Sequence, residues 1–219
     1  LPECWPESLK FLKIASSAIS LGKLPDSLEN IELKNCTNLK SLHNLKPCLK
    51  INQSISDNFY FENEINLSSC TSLTNLEGLE NKPHLKKIII SPFIKNLNSI
   101  KDYENLEIVI NFEKNLGKED KNYISEELSK ELSKLKKFKL VITQDWDAKP
   151  VEDISLIGSL NNVHALDIRI FIEDLSFISS MENIKYIRVQ PNDAIRDLKR
   201  GVFDTEGQIA KLKMKLLAS

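Results

Sequence analysis

Few side chains in this chain could do chemistry, and their spacing argues against most of it. Cys4, Cys36, Cys48 and Cys70 include no C-x-x-C pair, so neither a redox motif nor half of a zinc site is spelled out. Cys36 and Cys70 have no His or basic residue set beside them that would favour a thiolate. His43, His84 and His164 are too far apart to have metal-ligand spacing. Asp145 and Asp147 flank Trp146 and could be imagined as an acid/base pair. Two solvated carboxylates beside an aromatic that packs on its loop or anchors a partner is the better reading. The one G-x-S-x-G-like stretch, around Gly158, lacks the second Gly, and neither G-x-x-x-x-G-K-S/T nor G-x-G-x-x-G occurs. The expectation is no catalytic residue, no metal and no cofactor.

Composition narrows the class. The chain has 219 residues, 41% hydrophobic and 28% charged, which suits a folded domain or a short repeat array. A net charge of −1 gives no general pull toward nucleic acid or membrane. The sequence has no apolar run long enough to predict a transmembrane helix. Four cysteines in a chain of this size predict reduced thiols rather than a disulfide framework. The first residues, Leu-Pro-Glu-Cys, carry neither Met nor a signal-peptide pattern, as in a trimmed or processed fragment.

The elements that would position these residues are written as a repeat. "VEDISLIGSLNNVHALDI" (151–168) and "IEDLSFISSMENIKYIRV" (172–189) begin 21 residues apart. They share Glu-Asp at the second and third places, Ser at the fifth and Asn at the twelfth. An apolar residue, two others, an apolar residue, one other and an apolar residue recur at Leu9/Leu12/Ile14, Leu28/Ile31/Leu33 and Leu85/Ile88/Ile90. The pattern returns at Leu135/Phe138/Leu140, Val163/Leu166/Ile168 and Ile184/Ile187/Val189, with a weaker copy through Ile65 and Leu67. Each apolar-x-apolar ending predicts a short strand with one buried face. Between endings, Leu or Ile falls every third residue (Leu73, Leu76, Leu79; Ile94, Leu97, Ile100), which predicts 3₁₀-like turns. One such unit cannot bury its apolar edge alone, but stacked units can. The reading predicts one sheet of parallel strands with Leu12, Ile31, Ile65, Ile88, Phe138, Leu166 and Ile187 in one buried row. Cys36 and Cys70 fall at equivalent corners, as small buried thiols donating weakly to backbone.

"LKNCTNLKSLHNL" and "LSSCTSLTNLEGL" resemble the cysteine-type variant of leucine-rich repeats. "VEDISLIGSLNNVHALDI" is similar to internalin-like bacterial repeats, and "LPDSLENIEL" and "WPESLKFLKI" look like Leu-Pro units of secreted bacterial effectors. The resemblance covers roughly residues 8–190. It implies an α/β solenoid, a curved horseshoe with a parallel sheet on the concave face and turns or short helices on the convex face. On that reading residues 1–191 are the solenoid, with an inserted helix near 119–134, and residues 192–219 are a C-terminal cap or helical tail. Residues 48–63 break the period as a bulge, a hairpin or an extra coil. A ubiquitin-ligase domain, which some Leu-Pro effectors carry after the repeats, is not expected within this chain.

The resemblance implies a non-enzymatic protein-interaction module, the repeat part of a bacterial effector or toxin-neutralising protein, cytoplasmic or secreted into a host cell. The alternative is a structural or targeting segment of a larger protein whose chemistry lies elsewhere. Strand residues between core positions point away from the core. On that face Lys13, Lys34, Lys87, Lys137, Lys139, Arg169, Tyr186 and Arg188 are the expected partner-binding residues, with Trp146 on a loop as a second contact. The clear repeats place seven basic and three acidic residues there, so a monomer binding an acidic protein surface, and not nucleic acid, is expected.

Overall fold

The computed structural model describes residues 5–15, 19–25, 27, 30–33, 35–43, 45, 50–56, 59–62, 64–80, 82, 85–113, 123–190 and 201–218. The fold is mixed α/β. Strands β1 (Phe11–Ile14), β2 (Asn30–Leu33), β3 (Lys50–Ser56) and β4 (Phe59–Glu62) form one sheet in chain order. The first three are parallel, and β4 runs antiparallel to β3. Strands β5 (Glu64–Leu67), β6 (Lys87–Ile90), β7 (Glu107–Phe112), β8 (Phe138–Gln144), β9 (Val163–Ile168), β10 (Tyr186–Val189) and β11 (Val202–Phe203) form a second. Strands β5 to β10 are all parallel, and β11 adds antiparallel to β10.

The strands therefore lie in two sheets rather than the single sheet expected. The break falls at residues 50–62, where β3 and β4 pair as a hairpin. The reason is legible in "LKINQS": Asn52 and Ser54 stand where the core triplet wants apolar residues, so nothing forces that stretch to continue the buried row.

In the seven-stranded sheet the row is explicit. Ile65, Ile88, Ile108, Leu140, Leu166 and Ile187 are successive cross-strand partners, and all are buried. Leu12 pairs with Ile31 in the other sheet. Leu140, not Phe138, occupies the β8 place in this row. Phe138 pairs instead with Val163, and the register then slips past His164. Burying one Leu or Ile contributes about 1.5–3 kcal/mol, so six aligned residues fix the register against a one-residue slip.

The return segments hold the spacing of three. Residues Asn98–Ile100, Ser155–Ser159 and Ser176–Ser180 are 3₁₀ helices. Leu73, Leu76, Leu79, Ile94, Leu97, Ile100, Ile154, Ile157, Leu160, Leu175, Ile178 and Met181 line one continuous core. The matching residues of the repeated stretches 151–168 and 172–189 have matching jobs. The carboxylates of Asp153 and Asp174 accept from the N–H of Ser155 and Ser176, each at 2.7 Å, and so start the two 3₁₀ helices. The Asn162 amide donates to the carbonyls of Leu132 and Leu135 at 2.8 Å, and that of Asn183 to Asn161 at 2.9 Å. Each ties its own turn to the one before.

Gly158 belongs to this stacking: a Cβ there would sit 2.8 Å from the Phe177 carbonyl oxygen. Gly78 is needed for its backbone, at φ +104, and for a Cβ position 2.1 Å from the Leu42 carbonyl oxygen.

Cys36 and Cys70 are fully buried thiols outside any disulfide. The Cys36 thiol donates to the Ile14 carbonyl at 3.6 Å, and a hydrogen bond with Cys36, with burial added, pushes the Cys70 thiol far up. Cys4 and Cys48 lie outside the described residues.

Helix α1 (Glu126–Ser133) is capped by Ser125, whose hydroxyl accepts from Leu128 N–H at 3.2 Å; residues 119–122 of the expected helix lie outside the described residues. Just before it, Tyr123 makes a strand-like bridge to Asp153. Leu128 and Leu132 are buried, and Ile124 and Leu135 extend that contact beyond the helix ends. Helix α2 (Glu206–Ala218) buries Ile209, Leu212 and Leu216 and packs on the 3₁₀ helix Ser176–Ser180. The Lys213 ammonium donates to the Met181 carbonyl. Among the described residues no helix is long and apolar enough to cross a membrane.

Candidate partner-binding surface

The strand period that buries one row turns the next toward the other face. There Glu64, Lys87, Glu107, Lys139, Ala165 and Tyr186 are cross-strand neighbours in that order. The next row is Asn66, Ile89, Val109, Val141, Asp167 and Arg188. Lys87, Lys139, Tyr186 and Arg188 are thus brought onto one surface. Lys137 is exposed just before β8, and Arg169 is exposed just after β9. Lys13 is exposed on β1 of the other sheet, and Lys34 lies outside the described residues.

The electrostatics of this face differ from a bare basic patch. Lys87 pairs with Glu64 at 2.8 Å and Lys139 with Glu107 at 2.7 Å, so charges alternate along the row. Asp167 is buried on this face and takes two partners, Arg169 at 2.8 Å and Arg188 at 3.6 Å. Its hydrogen bond with Asp167 raises the Arg169 pKa above the ordinary guanidinium value. The sequence pattern does not assign Glu107 to this face because the unit at 106 is irregular. Leu106 stands two residues before the row position Ile108, whereas Leu85 stands three before Ile88.

A second surface forms where the chain leaves β8 and β9. The turn after β8 is anchored at both ends: Asp145 N–H donates to Phe112 and Ala148 N–H to Asp145, each at 3.0 Å. The Asn111 amide donates to the Asp145 carboxylate at 3.3 Å. Trp146 stands on this fixed turn with 94% of its surface exposed. After β9, Ile170 and Ile172 are buried, and alternation turns Phe171 outward, 59% exposed. Beside it lies a cleft of about 310 Å³ lined by Pro150, Val151, Glu152, Asp153, Ser155 and residues 171–174. Phe171, Glu152 and Glu173 were not singled out from the sequence as contact residues. The only signal was the shared Glu-Asp of the two stretches.

Polar side chains gather where the chain leaves β5, β6 and β7. The Ser68 hydroxyl donates to the Glu113 carboxylate at 2.5 Å, reaching from the end of β5 to the end of β7. Burial pushes the Glu113 carboxyl up, and the charge of Asp145 adds to it. Ser91, fully buried, follows β6, the strand between β5 and β7, and its hydroxyl has no partner among the described residues. His164 is pushed below the ordinary imidazole value by burial, with Lys137 adding to it. His84 lies outside the described residues. Among the described residues no three His, Cys, Asp or Glu side chains are grouped to hold a metal ion.

Comparison of the chain with family models, with curated proteins and with solved structures gave no match.

Proposed function

We propose that this chain is a leucine-rich-repeat-type solenoid that works as a non-enzymatic protein-binding module, docking its partner on the rim formed by the Trp146 turn and Phe171. The observation that carries this reading is Trp146, 94% exposed on a turn held by backbone hydrogen bonds, with Phe171 after the adjacent strand. An indole presented on a rigid turn loses little entropy on binding and buries a large area, as hot-spot residues do. The stacking of strand-and-return units in register, with equivalent Asp and Asn ties, supports the solenoid part of the proposal. The sequence resemblance extends it to the binding part of a bacterial effector or toxin-neutralising protein. A partner docking on the sheet face would have to replace the Lys87–Glu64, Lys139–Glu107 and Asp167–arginine pairs, which makes that face the weaker candidate.

The test is affinity capture with the wild-type chain, followed by titration of the purified captured protein. Trp146→Ala/Phe171→Ala should weaken binding about a hundredfold or more. Lys139→Glu/Arg188→Glu should change it by less than about threefold at physiological salt. The reverse order would move the contact to the sheet face.

A further inference from the structure

The partner's chemistry follows from the cleft beside Phe171. Nine residues line it: Pro150, Val151, Glu152, Asp153, Ser155, Phe171, Ile172, Glu173 and Asp174. Four are carboxylates and none is cationic. Asp153 and Asp174 are already used, each accepting a backbone N–H at 2.7 Å. The hydrogen bonds from Ser176 hold the Asp174 carboxyl below the usual range. Glu152 and Glu173 are different: both are exposed and accept no hydrogen bond or ion pair among the described residues. They occupy equivalent places in the two repeated stretches. The apolar part of the cleft is Pro150, Val151, Ile172 and the exposed ring of Phe171.

We infer that this cleft takes an arginine side chain from a cationic segment of the protein partner. This inference rests on the rim being the docking surface. A guanidinium is flat, weakly hydrated and able to stack on an aromatic ring while its N–H groups meet carboxylates at the edges. Phe171 supplies the ring face. Glu152 and Glu173 supply acceptors from two successive units. A lysine ammonium offers charge without the stacking plane, so it fits the apolar wall less well. An acidic segment is repelled here.

The test uses hexa-arginine, hexa-lysine and hexa-glutamate amides titrated calorimetrically into the full chain at low salt. Hexa-arginine should bind more tightly than hexa-lysine, and hexa-glutamate should not bind. Glu152→Gln/Glu173→Gln should weaken hexa-arginine about tenfold or more, and Phe171→Ala should erase the preference for arginine over lysine. Glu7→Gln/Asp102→Asn, two exposed carboxylates ahead of β1 and β7, makes the same charge change away from the cleft and should alter binding by less than about twofold. Equal weakening by both double variants would reduce the effect to diffuse charge and overturn the proposal, as would no binding of hexa-arginine. The captured partner separates the two ideas. Loss of its binding in Trp146→Ala with none in Glu152→Gln/Glu173→Gln keeps the docking rim and discards the arginine site.

Discussion

The outer face of the seven-stranded sheet and the rim beyond β8 and β9 carry similar residue types but treat them in opposite ways. On the sheet face nearly every charge the repeat displays meets an opposite charge one strand away, in the order Glu64, Lys87, Glu107, Lys139. On the rim, Glu152 and Glu173 line a cleft with the exposed ring of Phe171 and have no ion-pair partner among the described residues. A parallel sheet holds side chains about 5 Å apart, near enough for lysines and carboxylates to find one another. Turns leaving the strands have no such ladder, so what they display stays available. Charge counted along a sequence therefore overstates what a sheet can offer a partner, and understates what a loop can.

The largest expected effect comes from taking away the acid at the centre of the sheet face. Asp167→Ala should destabilise the fold by about 2 kcal/mol, because the buried carboxylate receives a charged hydrogen bond from Arg169 and lies within ion-pair reach of Arg188. Equilibrium denaturation in urea would measure it. A change below about 0.5 kcal/mol would show that the pairing on this face is decorative.

Reversing one rung should cost less. Lys139→Glu sets a carboxylate against Glu107 and should lower stability by about 1 kcal/mol. The double reversal Glu107→Lys/Lys139→Glu should recover most of that loss. A double-mutant cycle with no coupling energy would break the claim that this row is self-paired.

Glu113 gives a smaller effect with a definite sign. Its folded-state pKa is raised by burial, so it favours folding in its protonated form. That contribution is complete below the ordinary carboxyl value and is lost as pH rises through the raised folded value. At neutral pH the group therefore opposes folding. Glu113→Gln should be more stable than wild type at pH 7, and the gap should close as pH falls below about 4. Thermal melts across that range would show it, and a gap that widens on acidification would contradict the assignment.

The smallest effect on stability belongs to the rim. Trp146→Ala should leave the unfolding free energy within about 0.5 kcal/mol, because the indole is 94% exposed. A larger loss would mean that the ring packs on the loop and is not held out for a partner.

Much of the fold was legible because it rests on apolar spacing. The triplets placed β5, β6, β9 and β10, and the every-third-residue pattern placed the 3₁₀ returns. Phe138 misled because β8 is seven residues long and nearly all apolar at its start, so two registers look alike until the slip at His164 chooses Leu140. The hairpin β3/β4 stayed open because "INQSISDNFYFE" has neither the triplet nor a tight-turn dipeptide. For the surface, the seven predicted cations could be assigned to a face by alternation, but their partners depend on cross-strand register, which the sequence pattern left ambiguous. Trp146 was visible as a lone aromatic between two aspartates. Phe171 was not, because its exposure follows from the burial of Ile170 and Ile172 on either side.

The most direct measurement is amine footprinting combined with hydrogen exchange on the chain with and without its captured partner. The account predicts that protection from exchange falls on residues 145–155 and 169–174. The reactivity of Lys87, Lys137 and Lys139 should be unchanged in the same sample. Protection of those three lysines, with the Trp146 turn left free to exchange, would place the partner on the sheet face and contradict the account.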